Sequence, residues 1–264
     1  MNEKNPSRRF RVDALDVAVF GNRADMGTFA AEECAAAVRE VLGRQAACRM
    51  VFAAAPSQNE VLAGLATARG IDWSRVQAFH MDEYVGLAPE APQRFGVFLR
   101  DRLFGLLPFG RVEYLGKGGA SGAPGAAADE ASRYAALIAE APIDIVCLGV
   151  GENGHIAFND PGVADFGDPL LVKEVSLDRE CRLQQVHDGC FPDFDAVPPT
   201  ALTLTIPALM SGKKLFCVVP GPTKARAVKG MLEGPISEAC PASILRRHGH
   251  CALYLDAASA GELE

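Results

Sequence analysis

Leu148 to Gly162 read LGVGENGHIAFNDPG. The apolar run Ile143 to Leu148 leads into this stretch. It is short, β-branched and bounded by Pro142 and Gly149, which is the pattern of a buried strand. Three glycines, a histidine and several acids and amides follow within a dozen residues. Gly151 and Gly154 let the backbone bend and come close to a ligand where a side chain would clash. In an open parallel sheet, ligands bind beyond the carboxyl ends of the strands. His155 and Asp160 are placed there, in reach of chemistry.

Gly149-Val150-Gly151-Glu152-Asn153-Gly154 also matches the dinucleotide pattern G-x-G-x-x-G. That fingerprint needs a helix to start at the glycines, so that its N-terminus faces a pyrophosphate. Here Asn159-Asp160-Pro161-Gly162 is turn chemistry and no amphipathic helix follows. The expectation is a loop around a polar site, with a nicotinamide oxidoreductase as a distant alternative. A plain glycine-rich turn carrying a solvated histidine is the bland reading.

The chain has 264 residues, 49% hydrophobic and 22% charged, an ordinary globular composition. No linker divides it, so one domain over residues 1–264 is expected, with residues 1–10 as a flexible tail. Gly116 to Gly125 reads as a surface loop. The net charge of -7 and the lack of a basic run argue against nucleic acid. No apolar stretch approaches the ~20 residues that span a membrane, and the first ten residues lack the apolar core of a signal peptide. The eight cysteines form no C-x-x-C pair. Buried free thiols in a reducing cytoplasm are expected, rather than disulfides or zinc.

The pattern then alternates strands and helices. Strands are expected at 16–20, 49–53, 76–80, 112–115, 143–148, 171–176, 215–219 and 251–255. Helices are expected at 23–42, from Ser57 or Asn59 as cap to near Ala68, after Pro92, at 126–139, and opening at Pro222 and Pro241. Residues 179–197 look polar and irregular. Strands alternating with helices imply an α/β fold, a mainly parallel sheet with helices on both faces.

Three stretches together resemble the glucosamine-6-phosphate deaminase family, which groups with the 6-phosphogluconolactonases. They are FHMDEYVGL from Phe79 to Leu87, GVGENGHIAFNDP from Gly149 to Pro161, and GPTKARAV from Gly221 to Val228, with Ala201-Leu202-Thr203 upstream of the last. The resemblance implies a modified Rossmann-like three-layer fold and a cytoplasmic sugar-phosphate enzyme. Its reaction would open the sugar ring, isomerise the aldose to a ketose and release ammonia. No cofactor is needed for that chemistry. The partner implied is a small-molecule sugar phosphate, and a homo-oligomer is left open.

The reaction asks for particular groups. One carboxylate reaching both C1 and C2 can move the proton between them. By resemblance Asp82 is that base; otherwise it reads as a cap of the following turn. Glu83 and Tyr84 read as structural. His155 matches the ring-opening histidine, and a carboxylate beside it would fix its tautomer, with Asp160 the matched candidate ahead of Glu152. Asn153 stands where the family usually has Asp, and Asp160 where it has Glu. Lys224 matches the phosphate lysine and Ser57 keeps one hydroxyl of the phosphate loop, although Pro56 and two alanines replace its glycines. The family's second phosphate cation falls near Gln185, with Arg182 or Arg179 expected to compensate. Two alternatives remain, a lactonase-like hydrolase and a sugar-binding protein without turnover.

Overall fold

The computed structural model describes residues 5–117 and 125–264, so most of the expected Gly116 to Gly125 loop lies outside the described residues. The chain opens with β1 (Arg8–Val12) and β2 (Leu15–Phe20), then α1 (Arg23–Arg44), whose first turn is capped by Asn22 accepting from the Asp25 N–H. β3 (Cys48–Phe52) runs through one 3₁₀ turn at Pro56–Gln58 into α2 (Asn59–Ala66). β4 (Val76–His80) is followed almost at once by β5 (Asp82–Tyr84), then α3 (Phe95–Leu99), which widens into a π turn, and β6 (Arg111–Glu113). α4 (Ala126–Ala139), β7 (Ile145–Leu148), β8 (Val172–Ser176) and α5 (Arg179–His187) come next. The rest is β9 (Thr200–Leu204), α6 (Ile206–Met210), β10 (Lys214–Val219), α7 (Ala225–Glu233), a 3₁₀ stretch at Pro241–Arg247 and β11 (Cys251–Asp256).

Eight strands form one sheet in the order β1-β2-β11-β10-β7-β3-β4-β6. Every pairing in it is parallel except β1 with β2. The central strands are buried end to end, as strands covered on both faces must be. One apolar core holds Met26, Cys34 and Val38 of α1 with Val61 and Leu65 of α2. The other holds Ala131, Tyr134 and Ile138 of α4 with Val228 and Met231 of α7. Helices therefore pack on both faces, giving the three-layer α/β fold expected. From β3 the chain winds outward through β4 to β6, and from β7 outward through β10 to β11. The carboxyl ends of β3 and β7 thus flank a topological switch point, where a ligand crevice forms.

Four expectations are corrected. Residues 8–10 belong to β1 and pair with β2, so the flexible tail does not extend through Phe10. Its arginines are those of a charged edge strand. Ser57 and Asn59 cap nothing by side chain, because the 3₁₀ turn feeds directly into α2. Residues 179–187 form α5, capped by Asp178 accepting from the Cys181 N–H at 2.6 Å. Its inward residues include Gln184 and Gln185, so no apolar period announced it. Asp82 does not cap a turn. It lies in β5, in a second, antiparallel sheet of order β5-β9-β8, opposite Thr203.

All eight cysteines are free, and Cys34 and Cys147 touch at 3.6 Å across α1 and β7. Among the described residues no helix is long and apolar enough to cross a membrane.

His80 joins the two sheets. Its Nδ1 lies 2.9 Å from the Asp82 carbonyl, and its Nε2 accepts the Leu115 N–H at 2.9 Å. An imidazolium could not accept that hydrogen bond, and burial pushes the His80 pKa down to about 4. The unfolded chain, with His near 6.5, therefore binds the extra proton first. His80 contributes its full stabilisation above roughly pH 6.5 and loses about 3 kcal/mol as the pH falls toward 4. Urea unfolding at pH 7 and 4.5 should show this loss, and His80→Gln should flatten the dependence. An equal pH slope in the variant would remove His80 as its source.

Candidate active site

The loop after β7 holds the imidazole. A Cβ on Gly151 would sit 2.1–2.4 Å from three ring atoms of His155, so the glycine is a slot for the ring. Gly154 adopts φ +86°, open to glycine and strained for other residues, and a Cβ there would meet the Cys240 Sγ at 2.8 Å. Past it the chain makes a bridged turn from Ile156 to Asn159, with no helix. The G-x-G-x-x-G match thus lacks the helix N-terminus that a pyrophosphate requires.

His155 Nδ1 lies 2.7 Å from Asn153 Oδ1 and 3.0 Å from Asp160 Oδ1. Two acceptors at one nitrogen place the proton on Nδ1 and leave Nε2 as the basic nitrogen. Asp160 is fully buried. Burial alone would raise its pKa, but the contacts from His155, the Asn153 amide and the Asp178 N–H outweigh that and hold it below the ordinary carboxylate value. Glu152 turns away, 3.3 Å from His187 Nδ1, as a tight turn at the loop demands. Its backbone N–H donates to Gln184 of α5 at 2.8 Å.

The Asn153 amide explains why an acid is missing at this position. Its Nδ2 donates to Asp160 at 3.1 Å and to Asp178 at 3.0 Å. An Asp here would gather three carboxylates with no amide hydrogens between them. Asp178, the cap of α5, is the residue that the sequence reading missed. An Asp at a helix N-cap is a local signal, but the helix it starts has no apolar period to announce it.

Adjacent acids in β5 have separate fates. Glu83, fully buried, accepts N–H groups of Tyr84, Phe95 and Gly96 at 3.0–3.1 Å and faces Arg94 Nε at 3.3 Å. That is a structural acid, as expected. Asp82 is 7% exposed, and its carboxyl makes no hydrogen bond among the described residues. Burial, and then the charge of Glu83, hold its pKa well above the usual value. A buried acid without partners is costly to stability. The register ties it to the imidazole loop, since Thr203 opposite Asp82 accepts the Phe158 N–H at 3.1 Å.

A cavity of about 60 Å³ lies against Ser57, Gln58, Met81, Gly151, His155, Gln184 and Gln185. A larger one of about 400 Å³ shares Ala54, Ala55, Phe95 and Gln185 with it. Asp82 follows Met81 in the chain but does not itself line the smaller cavity, and neither do Asn153, Gly154, Asp160 and Lys224. Lys224 ends the 3₁₀ turn Pro222–Lys224 after β10. It is 5% exposed, and its Nζ has no hydrogen-bond partner among the described residues. Burial lowers its pKa, opposed by the charges of Asp188 and Glu152. Arg182 is not where a phosphate ligand was expected. Its guanidinium donates to the carbonyls of Phe194 and Val197 at 2.9 and 2.7 Å and stacks on Phe194, fixing the chain after α5. Arg179 also lies over Phe194.

Because the Asn153 amide bridges two carboxylates, Asn153→Asp should destabilise the protein although it restores the family's usual residue. Losing hydrogen bonds to charged groups, at ~1.5–3 kcal/mol each, predicts a fall of a few kcal/mol at pH 7 in denaturant unfolding. Unchanged stability would refute the bridge.

A family model described as glucosamine-6-phosphate isomerases/6-phosphogluconolactonase matches residues 21–253. A protein named glucosamine-6-phosphate deaminase from Streptococcus equi subsp. zooepidemicus (strain H70) is 38% identical over 194 residues, 74% of this chain and 79% of that protein. One of the same name from Streptococcus pyogenes serotype M18 is also 38% identical over 194 residues, with the same coverage. Among solved structures, a monomeric glucosamine-6-phosphate deaminase superposes with a TM-score of 0.82 at 27% identity, covering 93% of this chain and 98% of that one. A 6-phosphogluconolactonase from Trypanosoma brucei has a TM-score of 0.77 at 16% identity, covering 97% and 100%, a likeness of fold. With its sequence matched through all the strands that carry the site, the chain belongs to the glucosamine-6-phosphate isomerase/6-phosphogluconolactonase family.

Proposed function

We propose that the protein converts an amino-sugar phosphate, glucosamine 6-phosphate, to fructose 6-phosphate and ammonia. One observation carries this reading. A buried acid with no hydrogen-bond partner, Asp82, stands on the strand that is tied to a loop holding an imidazole with a basic Nε2. That supplies two proton carriers of separate duty. His155 Nε2 takes the anomeric hydroxyl proton and returns it to the ring oxygen, opening the ring, while Asp160 and Asn153 hold Nδ1–H and stabilise the imidazolium. Asp82 then removes the C2 proton and delivers it to C1, while the ammonium at C2 gives up a proton and O1 gains one, leaving an alcohol at C1 and an imine at C2. Water adds to that carbon and ammonia leaves. The names of the relatives, and the family match, support the same substrate class.

Lys224 is the proposed anchor of the phosphate, with Ser57 and the backbone at Gly151 and Gly154 around the sugar. A buried ammonium without a partner has a strong demand for an anion. Arg182 drops out of this set. The cavity of about 60 Å³ is smaller than a phosphorylated hexose needs, and the adjoining one of about 400 Å³, which shares Ala54, Ala55, Phe95 and Gln185 with it, adds the room.

Asp82→Asn should stop exchange of the C2 proton with solvent and lower turnover ~10²–10⁴-fold while binding persists. The raised Asp82 pKa sets the direction with pH. The base is ionised only above that pKa, so the acid limb of kcat/KM should lie above the ordinary carboxylate value of about 3.9 and vanish in the variant. Near-full exchange by Asp82→Asn would reject the assignment. Release of free acid from a 6-phosphogluconolactone, without ammonia from the amino sugar, would favour the lactonase reading.

Lys224→Met should have opposite effects on two measurements. Affinity for the phosphorylated sugar should fall roughly 10- to 150-fold, the equivalent of ~1.5–3 kcal/mol. The unliganded protein should become more stable, because a buried unpaired charge is removed. Equal loss of affinity for phosphorylated and unphosphorylated sugar would move the phosphate elsewhere.

A further inference from the structure

Cys181 projects from the first turn of α5 onto the residues that support the imidazole. Its Sγ lies within 4.8 Å of the Asp160 carboxylate, and burial followed by the charges of Asp160 and Asp178 raises its pKa. His155, Asp160 and Cys181 each offer one ligand atom, and these atoms lie within 4.8 Å of one another. They form the one such group of His, Cys, Asp and Glu among the described residues. All three are buried, at 8%, 0% and 1% exposure. Asp160 and Asp178 stand close enough to share the Asn153 amide, and no lysine or arginine pairs with either among the described residues. A buried carboxylate and its half-buried neighbour are thus balanced by neutral donors alone, apart from the imidazole when it is protonated.

We propose that His155, Asp160 and Cys181 form an inhibitory site for a borderline-soft divalent cation, Zn²⁺ above all. Imidazole nitrogen, thiolate and carboxylate are the donors that Zn²⁺ prefers, at about 2.0–2.3 Å. A cation bound between atoms already this close needs only small shifts of side chains. Binding through Nδ1 sends the ring proton to Nε2, and the thiol releases its proton to solvent, so one proton leaves per ion. Nε2 then carries hydrogen and can no longer accept the anomeric proton. The ion also joins α5 to the loop after β7, holding the helix over the cavity. The fourth position is left to water. Inhibition rests on the role proposed for His155; binding of the metal does not.

The test is titration of the whole protein with ZnCl₂ by calorimetry and with CdCl₂ by ultraviolet absorbance, which reports a thiolate-to-cadmium band. Wild-type protein should bind one Zn²⁺ with release of one proton and show the cadmium band. Cys181→Ser should lose the band, and Asp160→Asn, which keeps all eight thiols, should bind Zn²⁺ at least ~10-fold more weakly. Deamination by wild type should fall with added Zn²⁺ and return with EDTA. An unchanged cadmium band in Cys181→Ser, or unchanged Zn²⁺ affinity in Asp160→Asn, would overturn the site. Metal binding as described without inhibition would leave the site standing and overturn its inhibitory effect, and with it the role of His155 in turnover.

Discussion

A buried carboxylate must have its lone pairs filled, and Glu83 satisfies this demand with backbone from two directions. Its oxygens take N–H groups from β5 and from the start of α3, and Arg94 completes the set while donating to the carbonyls of Pro89 and Gly116. Removing one partner of such a group leaves an uncompensated charge in the interior, which costs several kcal/mol. The contact therefore fixes β5 against α3 and the end of β6. Since Asp82 is the neighbour of Glu83 in an extended strand, side chains alternate and the acid without partners is directed to the other face. One carboxylate is spent on architecture, which leaves the other available for chemistry.

Much of this was legible in the chain because the core strands are continuous apolar runs. Val76 to His80 and Ala126 to Ala139 appear where the periodicities put them. The glycine loop was readable too, since Asn159-Asp160-Pro161-Gly162 excludes a helix by turn chemistry. What stayed hidden has a common physical cause. β5 is three residues long and carries two acids, and β1 carries three arginines among five residues. α5 buries glutamines in place of leucines. These elements are stabilised by tertiary hydrogen bonds that local pattern does not contain. Arg182 illustrates the limit for site residues. Spacing put a cation near the expected anion, and only the fold reveals that its Nη2 donates to the carbonyls of Phe194 and Val197.

The polar inner face of α5 also bears on motion. A helix held by Gln184, by its cap and by few apolar contacts opens at lower free energy than one seated in a hydrophobic groove. The helix that borders the cavity with Gln184 and Gln185 is therefore easier to displace than the switch-point strands beneath it, which are buried end to end.

The amide of Asn153 has one more consequence, for the coupling of motion to acid-base chemistry. It bonds at once to the carboxylate that faces the imidazole and to the carboxylate that caps α5. The position of the helix and the hydrogen bonding of the imidazole are then linked thermodynamically. Whatever seats α5 more firmly shifts the balance of hydrogen bonds at His155, and whatever changes those bonds must shift the seating of α5 by the same free energy. A protein built this way couples the cover over its active site to the orientation of one ring.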